Sequence, residues 1–497
     1  MFSAFPMKIS NPHFRNPFFI LLLPAFFALH GYAEHYPLIG AGEMLVLFLG
    51  YLLGSAIFTF VLFIFIRSWR SASILGFLVM CFYLFFGAIH DWFKTWLNNT
   101  FLVRYSFLLP AFLLILILSI IYLRKFKPGF PRFSAYLNVL LLILILFDLV
   151  QLGFKKNDDR MVNNRSTGFS ICDSCDKPDI YFIIADEYAG KKELSDIFRF
   201  DNSPFENELR KRGFHITDSS FSNYNLTGYS VASLLNMDYL KEMDGTKITL
   251  NAHRLSLRKI DQNSFVGFLQ HAGYEVKNYS VFQLAGQLPP EATTLFRSGL
   301  KLLTDQTFHS RFRRDIGYDL ASKLNLRSEM KRMRSEILHI NDGLFSKTWN
   351  EAVSESGKPR FVYTHLFIPH NPYYYDRNGR MYPVEELNED EQYNREKYIE
   401  YLLYGNKKYL ELIDHILTSS KKPPVIVFMG DHGFREFRNN SVDNKYFFMN
   451  FSSIYLPDKN YQQFYKGMSN VNLFRVLLNT EFGQELPLLR DTTFLLR

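Results

Sequence analysis

The sequence predicts a two-part α/β membrane protein. A bundle of five transmembrane helices is expected over residues 1–153, a linker over 154–177 and an exported domain with a largely parallel sheet over 178–497. Three observations carry this. Charges are scarce before about residue 153 and frequent after it. Five apolar stretches in the first part have the length of a bilayer-crossing helix, roughly 20 residues. In the second part, apolar runs of strand length alternate with helical patterns, the signature of an α/β domain.

The spans are expected near 17–33, 43–66, 72–90, 105–123 and 134–152. The first, FFILLLPAFFALHGYA, ends in small residues as a secretion signal does, but the spans behind it make it a retained helix. Lys8 and Arg15 precede the first span, Arg67 and Arg70 follow the second, and Arg124, Lys125, Lys127 and Arg132 separate the fourth from the fifth. Basic connections stay in the cytoplasm, which puts the N-terminus inside and, with an odd number of spans, exports the remainder; Lys155 and Lys156 weigh mildly the other way. Trp69, Trp92 and Trp96 stand at span ends, where indoles favour the interface. The net charge of +8 thus partly reflects anchoring, and no basic stripe suits nucleic acid. Of the three cysteines, Cys81 lies in a span, while Cys172 and Cys175 form CDSC in the linker, spaced for a local disulfide in an oxidising compartment.

The linker, FKKNDDRMVNNRSTGFSICDSCDK, is polar and without sustained period. Then comes KPDIYFIIADEY, a continuous apolar run that stops at two acids, as a central strand covered on both faces does. RFVYTHLFIPH and PPVIVFMGDHG repeat the design, and NREKYIEYLLYGNKKYLELIDHILTSS between them has helical spacing. The basic, amphipathic 300–350 region, with RSEMKRMRSEI, reads as solvated helix. In open α/β sheets ligands bind beyond the carboxyl ends of the strands. Asp186 and Glu187, His365 and His370, and Asp431 and His432 all fall at such ends.

Carboxylates and imidazoles on one rim suit a divalent cation. Each fragment also has an ordinary explanation. Acids after a strand favour a helix N-terminus, a DHG tripeptide is a common turn whose glycine supplies a positive φ, and a single histidine is most often a satisfied core residue. Together the three strand ends favour a metal site. In FSNYNLTGYSVASLLNMDYL, Thr227 stands where a loop becomes a helix. An N-cap is its simplest role; beside a cation its hydroxyl is also a nucleophile, with the helix start receiving phosphate. Asn223 and Asn225 are candidate donors to phosphate oxygens or plain turn residues. Tyr373, Tyr374 and Tyr375 are either a rim near lipid headgroups or packing.

These motifs, in this order, resemble the alkaline phosphatase superfamily, in the sulfatase-like branch of membrane-anchored transferases that includes phosphoethanolamine transferases and lipoteichoic acid synthases. PDIYFIIADEY looks like the first metal-binding strand, NLTGYSVASLL like the threonine-nucleophile segment, THLFIPHNPYY like the strand-end histidine motif and VFMGDHG like the final Asp-His pair. The resemblance implies an alkaline-phosphatase-like α/β/α domain. It implies Thr227 and His370 as catalytic, Asp186, Glu187, Asp431 and His432 as metal ligands with Glu187 the stronger of the first two, and His365, Asn223 and Asn225 at the substrate. Sulfatases carry C/S-x-P-x-R for conversion to formylglycine, and this chain has no such sequence, which disfavours sulfate ester hydrolysis. The further histidine usual in phosphoethanolamine transferases is missing from FREFRNNSVDNKYF, so one cation is expected, Zn²⁺ or Mn²⁺, with Mg²⁺ also compatible.

The function expected is phospho-group transfer from a phosphodiester, a membrane phospholipid, to a glycan or lipid of the cell envelope, at the bacterial inner membrane with the catalytic domain outside. No nucleic-acid or protein partner is implied. The alternatives are a phosphodiesterase or phosphohydrolase of the same fold acting on a soluble substrate, and a catalytically silent membrane scaffold.

Overall fold

A computed structural model describes residues 16–36, 38–97, 100–126, 131–163, 169–170, 175–241, 248–290, 299–387, 394–437 and 442–497. The chain divides into two compact units, Met1–Arg165 with Gly299–Leu324, and Ser166–Ser298 with Asn325–Arg497.

The first unit holds α1 (Phe19–His35), α2 (Ala41–Ile66), α3 (Trp69–Trp96), α4 (Tyr105–Phe126) and α5 (Pro131–Asn163). Among the described residues four helices, not five, are long and apolar enough to cross a membrane: Ala41–Ile66, Trp69–Trp96, Tyr105–Lys125 and Pro131–Lys156. Their outward faces carry Leu45, Phe65, Leu114 and Phe147 in the open, as lipid-facing helices do. The expected first span is corrected. It forms a helix of 17 residues with Pro24 inside, about 26 Å long at the helical rise. Phe19, Leu23, Phe27 and Ala33 are all but inaccessible, so α1 is the buried core helix of its unit. α5 runs on to Asn163, so the expected linker begins as helix. Cys81 is free and Cys175 is disulfide-bonded; Cys172 lies outside the described residues.

The expectation of a solvated 300–350 region fails for its first half. Arg311 is 5% exposed and grips both carboxylate oxygens of Asp91, at 2.9 and 2.6 Å. Gly87 N–H donates to Gln306 O at 2.7 Å, and a Cβ there would lie 2.5 Å from Gln306 Oε1, so only glycine permits the approach. Polarity misled here because the charge is buried by pairing. Farther on, Arg327–Arg334 is a short helix whose Arg332 pairs with Glu329 in solvent, as expected.

The second unit is built on a mixed sheet of six strands, ordered β2-β6-β5-β1-β4-β3. The strands are β1 (Ile180–Ala185), β2 (His215–Ile216), β3 (Glu275–Tyr279), β4 (Arg360–Leu366), β5 (Val425–Gly430) and β6 (Ser452–Tyr455). β1 pairs in parallel with β4 and β5, and β3 with β4; β6 and β2 make an antiparallel edge. The three apolar runs read from the sequence are β1, β4 and β5, each buried along its whole length. The other three are short or half-exposed, so no apolar run marks them.

Helices cover both faces. Three matter below: α6 (Thr227–Asn236), α7 (Arg395–Ser419) and α8 (Asn470–Phe482). Phe182 of β1 meets Phe474 of α8 on one face. On the other, Phe428 of β5, which pairs in register with Ile183, meets Tyr409 of α7. α7 starts where Asn394 accepts from Lys397 N–H at 3.0 Å, an N-cap of the favoured type.

Candidate active site

Register builds the site. Ala185 of β1 is paired with Leu366 of β4 and with Gly430 of β5. The residues just past these, Asp186 and Asp431, therefore leave the sheet side by side, with His365 one step before the end of β4. Asp186, Asp431 and His432 each offer a ligand atom, and these atoms lie within 4.8 Å of one another. All three residues are 0% exposed.

The backbone at the strand ends is specialised. Glu187 holds φ at +61°, rare for a side chain of its size, and its N–H donates to Asp431 Oδ1 at 3.0 Å. This bond ties the first strand end to the last. The Gly433 expectation is corrected: its φ is not positive. A Cβ would instead lie 2.1 Å from Tyr446 O and 2.8 Å from Glu193 Oε2, so glycine answers crowding rather than a turn.

The polar atoms make an incomplete network. His432 Nδ1 donates to Gly433 O at 2.7 Å, leaving Nε2 as the acceptor of a neutral ring. That lone pair faces Thr227 Oγ1 at 3.2 Å and Asp431 Oδ2 at 3.3 Å. Burial pushes the His432 imidazole below its ordinary pKa, against the pull of Asp431. Two acceptors thus face each other with no proton between them. Asp431 Oδ2, Asp186 Oδ1 and Glu187 Oε2 are buried without a hydrogen-bond partner among the described residues. Orphaned buried oxygens are costly, and a divalent cation is what this carboxylate-imidazole set fits. Asp186, Asp431 and His432 would hold it. Glu187 stands outside that trio, with Oε1 accepting from Arg435 N–H at 3.1 Å and only Oε2 left to reach a ligand.

The two adjacent acids diverge. Burial raises Asp186, but His370, His365 and His432 around it prevail and hold its carboxyl below the usual range. Burial drives Glu187 above the usual range, and His370 offsets this only in part. His365 is anchored at both nitrogens, Nε2 at 3.2 Å from Asp186 Oδ2 and Nδ1 at 3.0 Å from Tyr363 OH. His370 is anchored at one: Nδ1 donates to Asn371 O at 2.6 Å. Burial would lower its pKa, but Asp186 and Glu187 raise it above the ordinary value.

Thr227 is not the N-cap. Leu226 holds that position with no side-chain cap, and Thr227 is the first residue of α6. At 3% exposure its hydroxyl turns to His432 rather than to its own helix. The neighbouring hydroxyls are committed elsewhere, Ser230 to Asp431 O at 2.7 Å and Ser222 to Tyr224 O at 2.8 Å.

Asn223 and Asn225, expected at the substrate, have their amides engaged in bracing bonds. Asn223 donates to Thr492 O and accepts from Val471 N–H, both at 2.8 Å. Asn225 donates to Leu496 O at 3.3 Å and accepts from Leu496 N–H at 2.8 Å. The end of the chain thus fastens the loop before Thr227, a tie between distant segments without local signal. Tyr373 and Tyr374 are buried, which answers their alternative as packing. Glu193 was not anticipated. It is buried and accepts from Phe434 N–H at 3.1 Å, supporting the turn after His432. Its sequence, KKELSD, looks like any surface helix.

An α/β domain whose strand ends collect two aspartates, two histidines and a buried hydroxyl at a helix start has the layout of an enzyme site at the carboxyl ends of its strands. The chain is a member of the sulfatase family, whose model matches residues 178–477, within the alkaline phosphatase superfamily. No curated protein matches. Among solved structures it is similar to the C-terminal periplasmic domain of EcEptC from Escherichia coli, at 14% identity and a TM-score of 0.40, over 63% of this chain and 85% of that one. It is also similar to the integral membrane lipooligosaccharide phosphoethanolamine transferase A (EptA) from Neisseria meningitidis, at 13% identity and a TM-score of 0.40, over 93% and 95%. A phosphonate monoester hydrolase from Silicibacter pomeroyi follows at 14% and 0.38, over 64% and 75%. The family assignment rests on the family model alone.

Proposed function

We propose that the protein is a membrane-anchored phospho-group transferase in which Thr227 is the nucleophile, a membrane phospholipid the donor, and a cell-envelope glycan or lipid the acceptor. The observation that carries this is the position of Thr227 Oγ1, buried at the start of α6 and 3.2 Å from His432 Nε2. A hydroxyl kept from its ordinary capping role and aimed into a carboxylate-imidazole cluster is an activated nucleophile.

A cation held by Asp186, Asp431 and His432 would supply the positive charge that favours the threonine alkoxide and the non-bridging oxygens. The chain's own groups do the rest. Thr227 Oγ1, its proton released to solvent, attacks phosphorus as the bond from phosphorus to the leaving alkoxide breaks, giving a phosphothreonine that carries the donor's headgroup. The start of α6, where the helix dipole favours an anion, receives the phosphate. His370, with Nδ1 committed to Asn371 and its pKa raised by the neighbouring Asp186, gives a proton to the departing oxygen from Nε2. An acceptor hydroxyl then gives its proton back to His370 Nε2 and attacks the phosphothreonine; the bond from phosphorus to Thr227 Oγ1 breaks, and the freed Thr227 alkoxide takes a proton from solvent. The apolar helices of the first unit keep the domain at the membrane, where a lipid donor is present at high effective concentration. With four spans, cytoplasmic connections at Arg67 and Arg70 after α2 and at Arg124 and Lys125 ending α4 place the catalytic domain outside, and the segment before α2 outside with it, the reverse of the N-terminus expected from five spans.

The test is mass spectrometry of the full-length protein trapped with phospholipid donor. A phospho-adduct on Thr227 is expected, and none in Thr227→Ala; an adduct on Ser222 or Ser230 would reassign the nucleophile. Labelled headgroup recovered on a glycan or lipid marks transfer, whereas free headgroup alone marks a hydrolase.

A further inference from the structure

One helix runs from Phe308 to Lys323 through a π turn at Arg313–Gly317. It belongs to the first unit and is fastened where α3 ends and α4 begins. Phe308 meets Phe86 of α3, with ring centroids 5.1 Å apart, and Arg311 holds Asp91. Tyr105, the first residue of α4, donates to Asp315 Oδ2 at 2.8 Å. On the orientation proposed above, these are the outer ends of their spans. Trp92 and Trp96 stand exposed in the last turns of α3, and indoles at a span end mark the membrane interface. The 308–323 helix therefore starts at the depth where acyl chains give way to headgroups.

Its second half has the composition for that depth. Leu320 and Leu324, four residues apart and so on one face, are 41% and 59% exposed. Arg313 and Lys323 are exposed, and neither forms an ion pair among the described residues, whereas Arg314 is satisfied by Asp315 at 2.9 Å. These two cations outnumber the exposed Asp319. A helix bathed in water has no use for paired leucines on its open side. Two leucines are also far less than the roughly 800 Å² a side of a stable protein interface. Apolar side chains flanked by unpaired cations are what a helix lying in a lipid interface presents.

We propose that this segment docks on the outer leaflet of the membrane, with Leu320 and Leu324 among the upper acyl chains and Arg313 and Lys323 on the phosphates of anionic phospholipids. Long basic side chains reach a headgroup while their stems stay in apolar surroundings. The inference rests on the outward orientation argued above and is independent of which residue is the nucleophile. Ser298 and Asn325, the residues on either side of this segment, belong to the second unit. The docked helix thus gives that unit a hold on the bilayer in addition to α5.

The test places an environment-sensitive fluorophore on Leu324→Cys of the full-length protein, in a Cys81→Ser background, reconstituted in nanodiscs of phosphatidylcholine and phosphatidylglycerol. Ser322→Cys, two residues away and on the opposite side of the helix, is the control. Lipid spin-labelled high on its acyl chain should quench the 324 fluorophore at least threefold more than the 322 fluorophore. Omitting phosphatidylglycerol, or combining Arg313→Glu with Lys323→Glu, should reduce that quenching at least twofold, with melting temperatures like wild type. Equal quenching at the two positions would overturn the insertion. A blue shift at 324 without quenching would show protein covering the leucines and overturn the lipid assignment. Quenching that ignores both phosphatidylglycerol and the charge reversals would overturn the phosphate contacts. Orientation is read separately: a membrane-impermeant maleimide should label Ser322→Cys in intact spheroplasts, and labelling only after lysis would overturn the outward orientation rather than the lipid contact.

Discussion

A single torsion and a single lone pair decide most of what this site can do. Thr227 sits one residue inside α6, so its hydroxyl meets His432 Nε2 and not the helix backbone. Thr227→Ala is expected to lower transfer at least about a thousandfold, the scale of losing a covalent nucleophile, while Thr227→Ser retains measurable turnover; kinetics on a labelled phospholipid read both. At the strand ends the buried oxygens Asp186 Oδ1, Glu187 Oε2 and Asp431 Oδ2 lack partners among the described residues, so chelation should lower the melting temperature in wild type and far less in Asp431→Asn. A cation at a hundred times its Kd stabilises by about 2.7 kcal/mol. Equal melting shifts in the two proteins would remove Asp431 from the ligand set. At Gly433 even one methyl collides with Tyr446 O, and Gly433→Ala should therefore cost metal content as well as stability.

Among the elements, α8 carries a titration that stability measurements can read. Near its C-terminus, Glu481 is pushed by burial, and by Asp458 after it, up to about 7, and its Oε1 has no partner among the described residues. An acid whose folded pKa exceeds its unfolded value, about 4.3, favours folding while protonated. That contribution is whole below the unfolded value and is lost as pH rises through about 7. Glu481→Gln should therefore raise the melting temperature at pH 8 and leave it nearly unchanged at pH 4, by differential scanning fluorimetry. The end of the chain is an element in its own right here. Asn225→Ala removes two bonds to Leu496, worth roughly 1–3 kcal/mol when the partners are left buried, and should loosen the Thr227 loop, seen as faster hydrogen exchange over 222–230.

For the molecule as a whole, the interruption of the second unit by Gly299–Leu324 is the feature with mechanical consequences. That segment is secured within the first unit by the paired Arg311 and Asp91. Arg311 is the buried member and Asp91 is half-exposed, so removing the guanidinium takes away the segment's anchor and returns Asp91 to water. Arg311→Ala should make residues 299–324 more susceptible to limited proteolysis in detergent, and an unchanged cleavage pattern would show the pair to be dispensable.

Local chemistry determined the parts of this protein that can be read one segment at a time. Apolar length marks the membrane helices, and continuous apolar runs mark β1, β4 and β5, because a strand buried on both faces has no polar side to alternate with. The acids and histidines at those strand ends were legible because a parallel sheet delivers every such end to one rim. Only the tertiary structure decided which of them converge. Register chose Asp186 over Glu187 for the close trio, a one-residue shift moved Thr227 from cap to hydroxyl in the cluster, and the chain's last residues took Asn223 and Asn225 as braces. It likewise made α1 a core helix and folded a basic stretch onto Asp91. Each of these depends on contacts between residues far apart along the chain, and no local period or composition records such contacts.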